Sequence, residues 1–360
     1  MNMRSIAVIA LSVGILAGCG HLKTASNAKP ELHIYTWTDY IAPNVVEKFE
    51  QKFNCSVVID TFDSNESMYA KVKAGATGYD IITPSSYLID LMAKEGMIDM
   101  LDHSKLPNVR KNFDRSFAAQ IIDPTFTYNV PYAVTYTGFC YAKDKIPSEA
   151  KVNSWAILNS KGLEGRISLL DDQREVIGAA LMYLGYSINS KKPSEIDEAV
   201  ELILKWKKNV GKFDAESYKS EIATGAIVLG QGYSTDVTQL IVGNKEKGIK
   251  PRPDIGFALP HEGFTIAFDE MVIPSTSKQK ELAYKFMNFI YEPSIAKENM
   301  EYICGSNPVA PAIDALDADY RKLIVLDAST LKRGQLLMGF DNPEVMELYT
   351  KAWNRIKAGK

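Results

Sequence analysis

Residues 32–73 read LHIYTWTDYIAPNVVEKFEQKFNCSVVIDTFDSNESMYAKVK, and their order of patterns decides the fold. Leu32–Trp37 is a β-rich run, followed by Pro43–Phe53, which reads as a helix opened by proline in its first turn. Cys55–Phe62 is the next strand, and Asp63-Ser64-Asn65-Glu66 then spells a capping box ahead of a helix through Lys73, closed by Gly75. Strand, helix, strand, helix is the signature of parallel α/β sheets.

The alternation continues outward. Tyr79–Pro84 reads as a strand and Ser86–Glu95 as a helix stopped by Gly96. A second series holds strands at Tyr136–Ala142, Ile167–Leu170, Ala226–Gly230, Ile255–Leu259 and Ile266–Pro274. Its helices begin near Arg174, at Ser194–Lys208 and at Lys280–Tyr291. With 360 residues the chain exceeds a single compact core, so two α/β lobes are expected. The apolar stretches Tyr128–Lys143 and Phe257–Ile273 are the candidate crossings between lobes. They divide the chain into 31–135 plus 270–315 for lobe one and 136–269 plus 316–360 for lobe two. Such hinges place a ligand cleft between the lobes.

The first residues read differently. An apolar stretch from Ile6 to Leu16 ends in Leu16-Ala17-Gly18-Cys19, too short to span a bilayer. Residues 1–18 are therefore expected to be a cleaved secretory signal. The last four residues resemble a bacterial lipobox, which implies lipidation of Cys19 and residues 19–30 as a tether. Cys55, Cys140 and Cys304 are an odd number scattered too widely for a disulfide framework, so buried free thiols are expected.

Charge and motifs exclude several function classes. Lysine plus arginine number 41 against 44 acids, a net charge of −3, which is no nucleic-acid footprint. Four dispersed histidines give no metal pair, the segment Gly243–Lys250 lacks the lysine of a phosphate loop, and no Gly-x-Ser-x-Gly elbow is present. Asp172 and Glu175 are the best acid/base candidates, but their spacing is that of a capping box. A helix N-terminus favours the ionised carboxylate, which suits holding a cation better than donating a proton.

Aromatic and acidic residues coincide where strands end: Trp37, Thr38, Asp39 and Tyr40 after the first, Ser85 and Tyr87 after the third. Asp172 and Glu175 follow the first strand of the second series, and Tyr233 and Asp236 a later one. Ligands of open α/β sheets bind beyond the carboxyl ends of strands. A cationic alkyl ligand needs carboxylates for its ammonium groups and aromatic faces for its methylenes.

At this point Tyr35-Thr36-Trp37-Thr38-Asp39-Tyr40 resembles a motif of the periplasmic spermidine/putrescine-binding proteins of ABC transporters. The likeness continues through residues 64–73, Pro84-Ser85-Ser86-Tyr87, Lys94–Ile98, Asp171–Val176, Ile273-Pro274 and the C-terminus. The resemblance implies a two-lobed solute-binding fold that captures a polyamine for an inner-membrane permease, as a monomer without cofactor or catalytic role. It implies ligand contacts from Trp37, Thr38, Asp39, Tyr40, Ser85, Tyr87, Asp172, Glu175, Tyr233 and Asp236. It adds Asp269 as a central carboxylate. Three positions depart from the family: Ala267 replaces a stacking aromatic, Gly305 a tyrosine and Leu337 a glutamine. A receptor feeding a membrane signalling protein, or one for another small cation, stays open beside the transport reading.

Overall fold

The computed structural model describes residues 29–62, 64–340 and 342–359; the signal reading of residues 1–18, Cys19 and the tether up to residue 28 lie outside them. Strand β1 (Glu31–Trp37) runs parallel to β2 (Ser56–Phe62) and to β3 (Ile81–Ile82), in the order β2-β1-β3. Alternation along β1 sends Leu32 and Ile34 into a core with Val45 and Phe49 of the helix Pro43–Phe53. Tyr35 points the other way, to Phe62, Met68 and Ile82. Both faces are covered, as parallel strands require.

The second sheet is built on β4 (Val130–Ala142), a strand of 13 residues. Its first half pairs antiparallel with β9 (Phe264–Met271), from Val130↔Met271 to Tyr136↔Ile266. Its second half pairs antiparallel with β7 (Leu229–Tyr233) and β8 (Ile255–Ala258). Beyond β7 lie β5 (Ile167–Leu169) and β6 (Val210–Phe213), both parallel in this sheet, and β10 (Gly334–Leu336) flanks β9. The sheet is therefore mixed rather than parallel throughout. A chain that leaves one lobe along β4 and returns along β9 must run antiparallel beside itself.

The cores divide along β4. Tyr132, Val134 and Tyr136 join the first core, while Phe139 packs with Trp155, Ile167 and Trp206 in the second. Phe264, Ile266 and Phe268 belong to the first core, as do Leu316, Ile324 and Leu331. The second closes on Tyr349 and Ile356 of the helix Pro343–Ala358. We propose that the lobe boundaries follow these cores, so that residues 264–269 and 316–331 go with lobe one rather than lobe two. Cys55, Cys140 and Cys304 are buried free thiols.

Candidate ligand site between the lobes

The floor of the cleft is the β4–β9 ladder. Thr265, Ala267 and Asp269 share one face of β9, about 13 Å from first to last at the usual strand rise. Ala133 and Thr135 lie opposite Asp269 and Ala267. A carboxyl group stands at each end of this strip.

At one end, Asp269 accepts hydrogen bonds from the Tyr40 hydroxyl and from Ser85 Oγ at 2.6 Å. Ser85 is held in turn by Asn65, whose amide donates to its Oγ and accepts from its N–H, both at 3.0 Å. Asn65 opens the helix Asn65–Lys73, whose cap Ser64 accepts from Ser67 N–H at 3.2 Å. The Tyr40 carbonyl accepts from Tyr132 Oη at 2.5 Å, and that hydroxyl accepts from Asn299 Nδ2 at 2.8 Å. Burial pushes the Asp269 carboxyl above its ordinary value, while the two hydroxyl donors pull it back.

At the other end, Asp172 caps the helix Gln173–Tyr183, accepting from the N–H groups of Arg174 at 2.7 Å and Glu175 at 3.1 Å. Glu175 does not complete a capping box there. Its carboxyl reaches into the floor, accepting from Thr137 Oγ1 at 3.1 Å and Thr265 Oγ1 at 2.8 Å. The expectation that the helix terminus keeps both acids ionised fails at Glu175. Burial outweighs the backbone donors and raises Asp172, and burial followed by the charge of Asp172 pushes Glu175 up to about 8. The Arg174 guanidinium is turned away, donating to Met338 O and Asn189 Oδ1 and lying over the Phe340 ring at 3.9 Å.

Two phenols flank this end. Tyr87 donates to Glu66 at 3.2 Å, and its hydroxyl is raised by burial, then by Glu66 and Asp172. The Tyr233 hydroxyl is raised by burial, then by Asp172, Glu175, Asp236 and Tyr87. Tyr87 stands in lobe one and Tyr233 in lobe two, so the two lobes close on the same pair of acids.

The remaining candidates lie differently. Trp37 packs on Phe62 with ring centroids 4.5 Å apart, and its indole N–H is buried without a partner among the described residues. Thr38 is exposed. Asp39 adopts a left-handed φ of 57°, has a side chain 56% exposed, and pairs with Lys247 at 3.2 Å. Asp236 accepts from Tyr218 Oη at 2.7 Å and pairs with Lys219 at 3.2 Å. At Gly305, an added Cβ would meet Thr235 Cγ2 at 2.5 Å, so any side chain at that position would require Thr235 to give way. Sequence reasoning missed Asn65, Glu66, Thr137 and Thr265 as site residues. Period-two alternation back from Asp269 would have found Thr265, whereas Glu66 was absorbed by its capping pattern.

The arrangement offers buried, hydrogen-bonded carboxyls flanked by phenols, which suits retention of a cation. Residues 44–323 match the profile of the family described as bacterial extracellular solute-binding protein. The chain belongs to this family. Its members bind solutes and are not enzymes. The putrescine-binding periplasmic protein PotF of Escherichia coli is 32% identical over 98% of this chain and 96% of its own length. The spermidine/putrescine ABC transporter substrate-binding protein PotD of Streptococcus pneumoniae, solved with calcium and HEPES, superposes with a TM-score of 0.82. It is 32% identical and covers 92% of this chain and 99% of its own. The Tp0655 (TpPotD) lipoprotein of Treponema pallidum gives a TM-score of 0.78 at 33% identity, covering 91% and 99% of the two chains. Like these solute-binding proteins, the chain has two α/β lobes with the candidate cleft between them.

Proposed function

We propose that this chain captures a polyamine, putrescine or spermidine, in the cleft and delivers it to a membrane permease of an ABC transporter. One observation carries the reading: Asp269 at one end of the floor and the Asp172–Glu175 pair at the other, with Tyr40, Tyr87 and Tyr233 beside them. An alkyl chain lying along the strip would set an ammonium at each end, and phenol faces would cover its methylenes. The names of the similar proteins, putrescine-binding and spermidine/putrescine-binding, support the same ligand class. A thermal-shift panel of polyamines, basic amino acids and inorganic cations tests it. Putrescine or spermidine at a hundred times its Kd should add about 2.7 kcal/mol of stability. No shift with any polyamine would sink the reading.

The same proposal includes a monomeric protein held at the outer face of a membrane by lipid on Cys19. Leu16-Ala17-Gly18-Cys19 supports it, as does the Treponema relative's being named a lipoprotein. Among the described residues no helix is long and apolar enough to cross a membrane. Cys19→Ala should release the protein from the membrane fraction, because the thiol is the acylated group. Equal retention of the variant would overturn the anchor.

A further inference from the structure

The expected ligand set contains five carboxyl groups, but two of them already hold a cation of this chain. Lys247 Nζ lies 3.2 Å from Asp39 and 4.8 Å from the centre of the Tyr302 ring, and its side chain is only 19% exposed. Its loop is built to hold it there. Lys247 N–H donates to Asn244 Oδ1 at 3.1 Å, and Asn244 Nδ2 donates to Tyr302 O at 3.2 Å. Asn244 and Ile249 close the loop with a backbone bridge. Asp236 is neutralised from within lobe two, by Lys219 at 3.2 Å on one oxygen and the Tyr218 hydroxyl at 2.7 Å on the other. Among the described residues, Asp172, Glu175 and Asp269 form no ion pair with a side chain of the chain; Arg174, the nearest candidate, is committed elsewhere.

We propose that Lys247 and Lys219 are specificity-determining residues of this cleft: resident counterions that occupy Asp39 and Asp236 and restrict the ligand to two ammonium groups, favouring a short diamine over longer polyamines. This rests on the polyamine reading above. A ligand ammonium can take Asp39 only by evicting Lys247, exchanging one ion pair for another at a half-exposed carboxylate with little gain. The buried carboxyls have no such occupant, so an ammonium arriving there gains a pairing that burial strengthens. A third ammonium meets a lysine at whichever end it reaches, and that repulsion is the discriminating element.

The test is calorimetry on the folded mature chain with putrescine, spermidine and spermine. Wild type should prefer putrescine. In the Lys247→Met, Lys219→Met double variant, spermidine and spermine should gain about tenfold relative to putrescine, a shift of one decade in the affinity ratio. Lys247→Arg, which keeps the charge, should hold the wild-type ratio. If the methionine variants fail to fold, Lys247→Gln and Lys219→Gln serve with the same expectation. An unchanged ratio in folded neutral variants, with polyamine binding intact in wild type, overturns this inference alone. Wild type that binds no polyamine overturns both it and the reading on which it rests.

Discussion

Asp269→Asn should weaken putrescine binding by about a hundredfold to several thousandfold, while Asp39→Asn should lose no more than about fivefold. The difference follows from where each carboxyl stands. Asp269 is held by Tyr40 and Ser85 at one end of the cleft floor, where burial is the largest influence on its carboxyl. Removing one partner of a desolvated charge pair leaves the other unpaired and costs about 3–5 kcal/mol, with each 1.4 kcal/mol a factor of ten. Asp39 is more than half exposed and already paired with Lys247. An exposed pair contributes about 1 kcal/mol or less, and losing it frees Lys247 without stranding a ligand ammonium. Asparagine at 269 is nearly isosteric and can still accept from one hydroxyl, so the variant should fold, which circular dichroism checks. Calorimetry then decides. Near wild-type affinity in Asp269→Asn would place the ammonium elsewhere and remove Asp269 from the proposed site.

What was legible in the sequence was local. The helix Pro43–Phe53 announces itself by its proline, and Ser64 by its capping pattern, because those signals act within one turn of the chain. The expected strand Tyr79–Pro84 shrinks to Ile81–Ile82, and the expected helix Ser86–Glu95 opens instead as a short 3₁₀ turn, Ser86–Leu88. Ladder bonds near Pro84 are taken up by distant partners: Ile82 bridges Val272 and Ser85 bridges Asp269. Such pairings carry no local pattern. The acids of the site were legible as types placed at strand ends, yet their partners were not. Lys247 meets Asp39 only because the loop after β7 and its following helix folds back onto Tyr302. The state of Glu175 was misread for the same reason. Its position in a helical first turn is visible in the sequence, but its burial against Thr137 and Thr265 is a product of the sheet.

That burial predicts a proton released on binding. Glu175 lies well above the ordinary glutamate value of about 4.3, at about 8, so the unliganded site holds its proton at neutral pH. An alkyl ammonium, like lysine, stays charged up to about pH 10, and it needs the ionised carboxylate. Binding between about pH 5 and 8 should therefore expel close to one proton. Affinity should rise with pH in that window, by up to tenfold per unit, and level off above about 8. The folding sign runs the opposite way in the free protein. The raised group stabilises the fold below the ordinary glutamate value, and that contribution is lost as pH rises through about 8. Ligand stabilisation measured as a thermal shift should thus be larger at pH 8 than at pH 6. Glu270 is raised to about 8 too, by burial beside Ser86, but strand alternation puts it on the face of β9 opposite Asp269, away from the proposed ligand strip. Its proton should cancel from the difference. Calorimetry at pH 6.5 in two buffers of different ionisation enthalpy counts the released proton directly. Glu175→Gln keeps the contacts to Thr137 and Thr265 within reach and should abolish the release. A proton count near zero in wild type, or one unchanged in Glu175→Gln, would show that the ammonium does not pair with Glu175.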